Sequence, residues 1–318
     1  MKRLDWLIYG TDFVLRKKFK SIYKIPYSKR KMYLPEEANI LLGQKILSGE
    51  SFFAGRYGLF ELAAMRAFEF QNESKYEIVM KQIYECAGFF PYDLTLGERF
   101  LEEMKKATEK VDILACSGEL TENYFMNCYT KQQMAGVSSF DVMEPWRYEK
   151  PWSAALKGKK VLVIHPFEQS IQEQYAIREK LFAGTDILPE FELLTYKTLQ
   201  TTGDLIDQRF ATWFDALEFM YQEIREKDFD IALLGCGAYG FPLAAKLRAD
   251  GKQAIHMGGV LQILFGIMGK RWDGTGPNST THKMREDIAK YYSEDWTYPK
   301  ENETPESAGR VEYGPYWK

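Results

Sequence analysis

Apolar and polar positions alternate along this chain in two registers, one of strands and one of helices. The clearest strand is Lys160-Val161-Leu162-Val163-Ile164-His165-Pro166, apolar at successive positions and so apolar on both faces. Strands of that kind belong inside a parallel sheet covered by helices. Shorter runs predict further strands at 52–56, 112–116, 139–143, 191–196, 230–234 and 253–257. Between them, apolar residues spaced three and four apart predict helices over 36–48, 60–71, 75–86 and 96–110, one ending at Tyr129, then 170–182, 213–226 and 241–249. A Pro/Trp-rich connector fills 144–160, and beyond 273 the pattern dissolves into polar, aromatic and Gly/Pro-punctuated sequence with one helix near 284–292. Alternating strands and helices predict an α/β fold, a doubly wound, mostly parallel sheet with helices on both faces, Rossmann-like in outline. The chain divides into a basic N-terminal helical arm (1–32), a single α/β domain (33–275) and a C-terminal helix and loop tail (276–318).

Composition narrows the class. With 42 Lys+Arg against 45 Asp+Glu among 318 residues, 45% hydrophobic and 27% charged, this is a globular chain and neither a disordered nor a fibrous one. Cys86, Cys116, Cys128 and Cys236 form no CxxC, and with three histidines no zinc-like spacing arises. No apolar run approaches the ~18 residues of a membrane span and no signal-peptide core is present, so a cytoplasmic location is expected. The net charge of -3 hides an asymmetry: residues 1–32 carry ten Lys/Arg against Asp5 and Asp12, or +8, leaving -11 for the rest. Leu4, Ile8, Leu15, Phe19 and Ile22 fall near one helical face. That arm either lies on an anionic membrane surface, at the inner face of the membrane, or packs its apolar side on the main domain or a second subunit. No nucleic-acid-binding motif with the required spacing occurs.

Four constellations carry candidate chemistry. In Asp230-Ile231-Ala232-Leu233-Leu234-Gly235-Cys236-Gly237-Ala238-Tyr239-Gly240 a buried strand runs into G-x-G-x-x-G and a helix, the context of a phosphate-binding turn. The next strand ends in His256-Met257-Gly258-Gly259 without the acid that holds a dinucleotide ribose, which disfavours NAD, and leaves an S-adenosylmethionine site resting on the glycines alone. The competing reading is that the glycines let a strand and helix pack closely. Second, His165 and Glu168 follow a strand end, where open α/β sheets bind ligands, and His256 occupies the matching place on another strand. Third, Gly55-Arg56-Tyr57-Gly58-Leu59-Phe60-Glu61 offers a guanidinium for a phosphate and a carboxylate for a metal or sugar hydroxyl, or else a first-turn Glu facing its own helix dipole. Fourth, Lys270, Arg271 and Trp272 make a cationic-aromatic cluster that would clamp phosphates and stack on a base, or else form a basic helix end.

At these residues the chain resembles a known group. Gly-Cys-Gly-Ala-Tyr-Gly (235–240), Lys-Gln-Ala-Ile-His-Met-Gly-Gly (252–259), Phe-Gly-Ile-Met-Gly-Lys-Arg-Trp (265–272), Gly-Lys-Lys-Val-Leu-Val-Ile-His-Pro-Phe (158–167) and Pro-Trp-Ser-Ala-Ala-Leu (151–156) look like a bacterial polysaccharide-cluster family related to the GT-D fold glycosyltransferases, over most of 35–275. The resemblance implies a hexosyltransferase-type enzyme that binds a nucleotide-sugar donor, a UDP-sugar first, and transfers the sugar to a glycan or lipid-linked acceptor in surface polysaccharide biosynthesis. It implies a divalent Mn²⁺ or Mg²⁺ held by an Asp-x-Glu pair; here Glu61 matches the second carboxylate and Leu59 stands at the first. Donor contacts would come from Arg56, Glu61, Gly235, Gly237, Tyr239, Gly258, Gly259, Lys270 and Arg271, and the base that takes the acceptor proton from Glu168, His165 or His256. The alternative is a non-catalytic nucleotide-sugar or glycan-binding protein of the same fold.

The arm generates a test. Each Lys or Arg near an anionic surface contributes about 1 kcal/mol. The intact chain is expected to pellet with anionic vesicles at low salt and to be released as ionic strength rises; equal pelleting by a chain starting near Tyr33 would remove the arm as the membrane-contacting element.

Overall fold

The computed structural model describes residues 29–201, 205, 207–276, 281–311 and 314–318. Eight strands form one sheet: β1 (Lys31–Tyr33), β2 (Phe52–Arg56), β3 (Ile113–Ala115), β4 (Ala135–Val137), β5 (Lys160–His165), β6 (Glu192–Lys197), β7 (Ile231–Leu234) and β8 (Gln253–His256). Their order is β1-β4-β3-β2-β8-β7-β5-β6, and every pairing is parallel. Strand alternation sorts side chains into two cores. Leu162, Ile164, Ala232, Leu234, Phe53 and Leu114 pack on one face with the helices Leu59–Glu69, Tyr76–Ala87, Gly97–Thr108, Leu120–Tyr129, Trp213–Arg225 and Gly240–Ala249. Val161, Val163, Ile231, Leu233, Phe52, Ala54 and Ile113 pack on the other with the helices Pro35–Ser48 and Glu168–Ala176, the turn Leu261–Leu264 and the C-terminal segment. The apolar-on-both-faces reading of 160–166 therefore has its cause in a sheet covered twice.

Two strands from opposite ends of the chain meet at the centre. β2 pairs with β8 through Phe52↔Gln253 and Gly55↔His256, while β8 pairs with β7 through Leu234↔His256 and β7 with β5 through Ile164↔Leu234. From β2 the chain winds away through β3; on the other side it arrives at β8 from β7. This is the switch point at which open α/β sheets form their crevice. The register sets Arg56, His256, Gly235 and His165 side by side at the carboxyl ends of four adjacent strands.

Most predicted elements stand within one or two residues, and four do not. The strand expected at 139–143 is a 3₁₀ turn, Phe140–Met143, because Ser139 Oγ accepts the Asp141 N–H (3.1 Å) and turns the chain; the strand is Ala135–Val137 instead. The edge strand β1 begins at Lys31, inside the segment read as the arm. The helix expected over 170–182 is broken into Glu168–Ala176 and Arg178–Leu181. The helix near 284–292 is one turn, Glu286–Ala289, tied down by Arg285, whose guanidinium bonds both Glu144 and Asp287. The amphipathic reading of residues 1–28 lies outside the described residues. Among the described residues no helix is long and apolar enough to cross a membrane.

The C-terminal segment is part of the second layer: Trp272, Trp296, Val311 and Trp317 are buried in its core. Glu303, 2% exposed, fastens it to the end of β5. Its Oε1 accepts the Gln169 (2.7 Å) and Ser170 (3.2 Å) N–H groups, and Ser170 Oγ bonds Oε2. The free N–H groups of the helix Glu168–Ala176 are thus satisfied by a carboxylate from far along the chain. Glu303→Ala is expected to cost about 1–3 kcal/mol in urea unfolding, with Glu303→Gln losing less; a neutral alanine variant would show that the tail is held by apolar packing alone.

Candidate functional site

The crevice over the switch point is a cleft of about 420 Å³. Its floor is the strand ends, with Arg56 closing β2, His165 closing β5 and Pro166 after it, Gly235 to Gly237 after β7, and His256 closing β8 with Gly258 and Gly259 beyond it. Residues 86–88 and 198–201 form one wall, while Arg271, Val311, Tyr316 and Trp317 form the other. Arg56, Glu61, His165, Gly235, Gly237, Tyr239, His256, Gly258, Gly259 and Arg271, proposed from separate stretches of sequence, therefore share one cavity. Glu168 and Lys270 do not line it. Glu168 opens its helix half-buried, with Thr195 Oγ1 donating to its Oε1 (2.8 Å). Lys270 N–H donates to Trp317 O (3.1 Å), so that residue serves the C-terminal segment. Trp272 is fully buried in the second core and is not available to stack on a base.

The glycine motif has a reason inside the protein. A Cβ on Gly235 would lie 2.7 Å from His165 Cδ2, one on Gly237 2.8 Å from Ala87 O, and one on Gly240 would collide with the His256 ring. Gly237 also has φ +56°. All three glycines make room for the two strand-end histidines and the adjoining helix end. Tyr239 is likewise built in: its ring stacks on Trp213 at 5.2 Å and its hydroxyl shares a hydrogen bond with Thr201 Oγ1 (2.8 Å).

Both histidines are buried and neutral. Burial draws each down to about 3, helped for His256 by the Arg56 charge. His165 Nδ1 accepts the Phe167 N–H (3.0 Å), which places the ring proton on Nε2. His256 bonds the Leu234 carbonyl, and its Nδ1 has no partner among the described residues. Such imidazoles are donors and fillers at neutral pH and weak proton acceptors.

The cations differ from that. The Arg56 side chain is set in the cleft, with Nε donating to Tyr57 O (3.0 Å) and the guanidinium 4.5 Å over the Phe140 ring. Among the described residues its Nη1 and Nη2 amines have no hydrogen-bond partner. Desolvation lowers its pKa, and Glu61, Tyr316 and Glu122 act the other way. Glu61, at the third position of the helix Leu59–Glu69, folds its carboxylate over Gly58 in the helix's own first turn. Leu59 is 58% exposed beside it. Among the described residues Glu61 is the one carboxylate that lines the cleft, and no three His, Cys, Asp or Glu converge as a metal would require. A divalent cation held through a carboxylate pair does not fit these side chains.

One acidic residue escaped the sequence reading. Glu122, fully buried, follows β3; its Oε2 accepts Ser117 N–H (2.7 Å), Ser117 Oγ–H (2.9 Å) and Glu119 N–H (3.1 Å), and its Oε1 has no partner among the described residues. Burial raises it to about 7 in spite of those bonds and of Arg56. The signal was a Ser-x-x-x-x-Glu stretch opening a helix at a strand end.

These shifts have opposite signs. Each unfolded histidine binds a proton near 6.5 that the folded site refuses until about 3, so stability is complete above 6.5 and falls as acid is added, by about 3 kcal/mol per histidine near pH 4. Glu122 takes its proton at about 7 when folded and near 4.5 when unfolded, so its contribution is present below 4.5 and is lost as pH rises through 7. NMR is expected to show neither imidazole of His165 or His256 titrating between about pH 5 and 8. Glu122→Gln is expected to flatten the stability profile between 4.5 and 7. Titration of either ring near 6.5 would place it in contact with solvent.

No family model and no curated protein matches the chain. Two solved structures are similar to it. A selenomethionine-substituted structure of domain of unknown function 1792 is 12% identical over 83% of this chain and 94% of that one, with TM-score 0.42. A second, described as showing that the highly conserved domain of unknown function 1792 has a distinct glycosyltransferase fold, is 14% identical over 72% of this chain and 78% of that one, with TM-score 0.39. Similarities this low leave the chemistry of the chain to its own residues.

Proposed function

We propose that the cleft binds the diphosphate of a nucleotide-sugar and that the chain is a glycosyltransferase of surface polysaccharide assembly working without a carboxylate-held metal. The observation that carries this reading is Arg56, which lines the cleft with Nη amines that have no hydrogen-bond partner among the described residues and present a fork suited to phosphate oxygens. Arg271 lines the same cleft and adds a second guanidinium. In transfer, the bond from the anomeric carbon to the diphosphate breaks, and the two guanidiniums stabilise the charge left on the leaving group. The acceptor oxygen bonds the anomeric carbon, and its proton passes to Glu61, the carboxylate on the cleft. The sugar class and the polysaccharide setting come from the sequence resemblance.

A non-catalytic nucleotide-sugar-binding protein is the second reading, favoured by the two weakly basic histidines and by a Glu61 engaged with its own helix. Calorimetric titration against UDP-, GDP-, dTDP- and CMP-sugars separates these readings from none at all: binding of at least one is expected, unchanged by EDTA. Arg56→Ala is expected to weaken it about tenfold or more. Slow donor hydrolysis that Glu61→Gln abolishes without loss of binding supports the enzyme; binding with no hydrolysis supports the second reading. Absence of binding at millimolar ligand sinks both.

A further inference from the structure

The last residues of the chain are built into the cleft with unusual density of contact. Arg271 N–H donates to Pro315 O (2.9 Å), and the fully buried Gln262 amide donates to Tyr316 O (3.2 Å). The Trp317 indole donates to Glu303 O (3.1 Å), which couples this strap to the carboxylate that caps the helix after β5. Two glycines are given over to it. A Cβ on Gly269 would lie 2.7 Å from Pro315 O, and one on Gly259 would collide with the Tyr316 ring. The double glycine after His256, which in the sequence suggested a ligand's close approach, is thus approached at Gly259 by the chain's own tyrosine.

What this anchoring accomplishes is the placement of one side chain. Tyr316 lines the cleft, its hydroxyl accepts from Arg271 Nη1 (3.1 Å), and the Arg271 guanidinium lies 5.1 Å from the centre of its ring. It is also close enough to Arg56 to act on that guanidinium's charge. The phenol therefore stands with both arginines that line the cleft among the described residues. A residue needed only to fill space over Gly259 would require the ring and not the hydroxyl.

We propose that Tyr316 is a ligand-contacting residue of the anion site: its hydroxyl accepts from Arg271, holding that guanidinium toward the cleft, and donates to an oxygen of the bound diphosphate. The inference rests on the anion-binding reading of the cleft and adds to it a residue from the carboxy-terminal strap. A hydroxyl that accepts from one cation and donates to an anion is polarised in the direction both bonds favour.

Isothermal titration of the full chain with inorganic pyrophosphate and with UDP tests it, using Tyr316→Phe, Arg271→Ala and the double variant. Tyr316→Phe keeps the ring, so the thermal midpoint is expected to stay in place while binding of both probes weakens about tenfold. Tyr316→Leu, which loses the ring too, is expected to lose more. In the double variant the two losses are expected to combine to less than their product, since part of the Arg271 contribution depends on the hydroxyl. Binding by Tyr316→Phe within about twofold of the parent chain, or losses that multiply in full, would overturn the assignment. If the parent chain binds pyrophosphate but no nucleotide, the nucleotide-sugar reading falls and the role of Tyr316 stands; if it binds neither, both fall.

Discussion

A guanidinium partly withdrawn from water at the end of a central strand is costly unless something negative meets it, and Arg56 stands under that constraint. Arg56 is the last residue of β2, directly beside β8, with part of its surface covered by Phe140 and its Nε bonded to the Tyr57 carbonyl. The two carboxylates that act on it are both compromised as partners. Glu61 is turned onto the first turn of its own helix, and Glu122 is held close to half-protonated at neutral pH by burial. Among the described residues neither carboxylate is hydrogen-bonded to Arg56, which is the feature on which the proposed anion site rests.

The histidines and glycines answer a different demand, that of closing four strand ends tightly. Imidazoles at His165 and His256 fit only because Gly235 and Gly240 carry no side chain, and because each ring is neutral it is sealed in at modest electrostatic cost. The motif that suggests phosphate binding in sequence is here first a packing solution. It still shapes the ligand's surroundings, since Gly235 to Gly237 face the cleft, but the charge that would recognise a phosphate comes from arginines on other elements.

This explains what was legible in the sequence and what was not. Strands such as 160–165 and 231–234 could be read because burial on both faces leaves an unbroken apolar run, and strand ends in an α/β sheet are where sites form; ten of the twelve proposed residues lie on one cleft for that reason. β4 was missed because Ala135-Gly136-Val137 is too short and too small to make a pattern, while the stronger apolar run after it is bent by Ser139. Glu168 stands after β5, where open sheets bind ligands, yet nothing in the sequence says that Glu303, more than a hundred residues later, takes the helix N-terminus and that Glu168 is bonded by Thr195 away from the cleft lining. Tyr316 was invisible for the same reason: its partners Gly259 and Arg271 are local to each other but not to it.

The site is therefore a property of the closed sheet and of no segment within it. Arg56 comes from the second strand, the histidines from the fifth and eighth, Arg271 from beyond the sheet and Tyr316 from the end of the chain, and β2 meets β8 across about two hundred residues of intervening sequence. Pairing of that kind is slow to form because loop closure precedes the contacts that reward it. An anion bound between Arg56 and Arg271 would add a contact at the junction of the two halves, where β2 and β8 meet through four register pairs and Phe241 packs against Phe53 and Tyr57. A ligand that binds the folded cleft and not the unfolded chain stabilises the fold, so ligand affinity in this chain is expected to appear as resistance to unfolding as well as occupancy of the cleft.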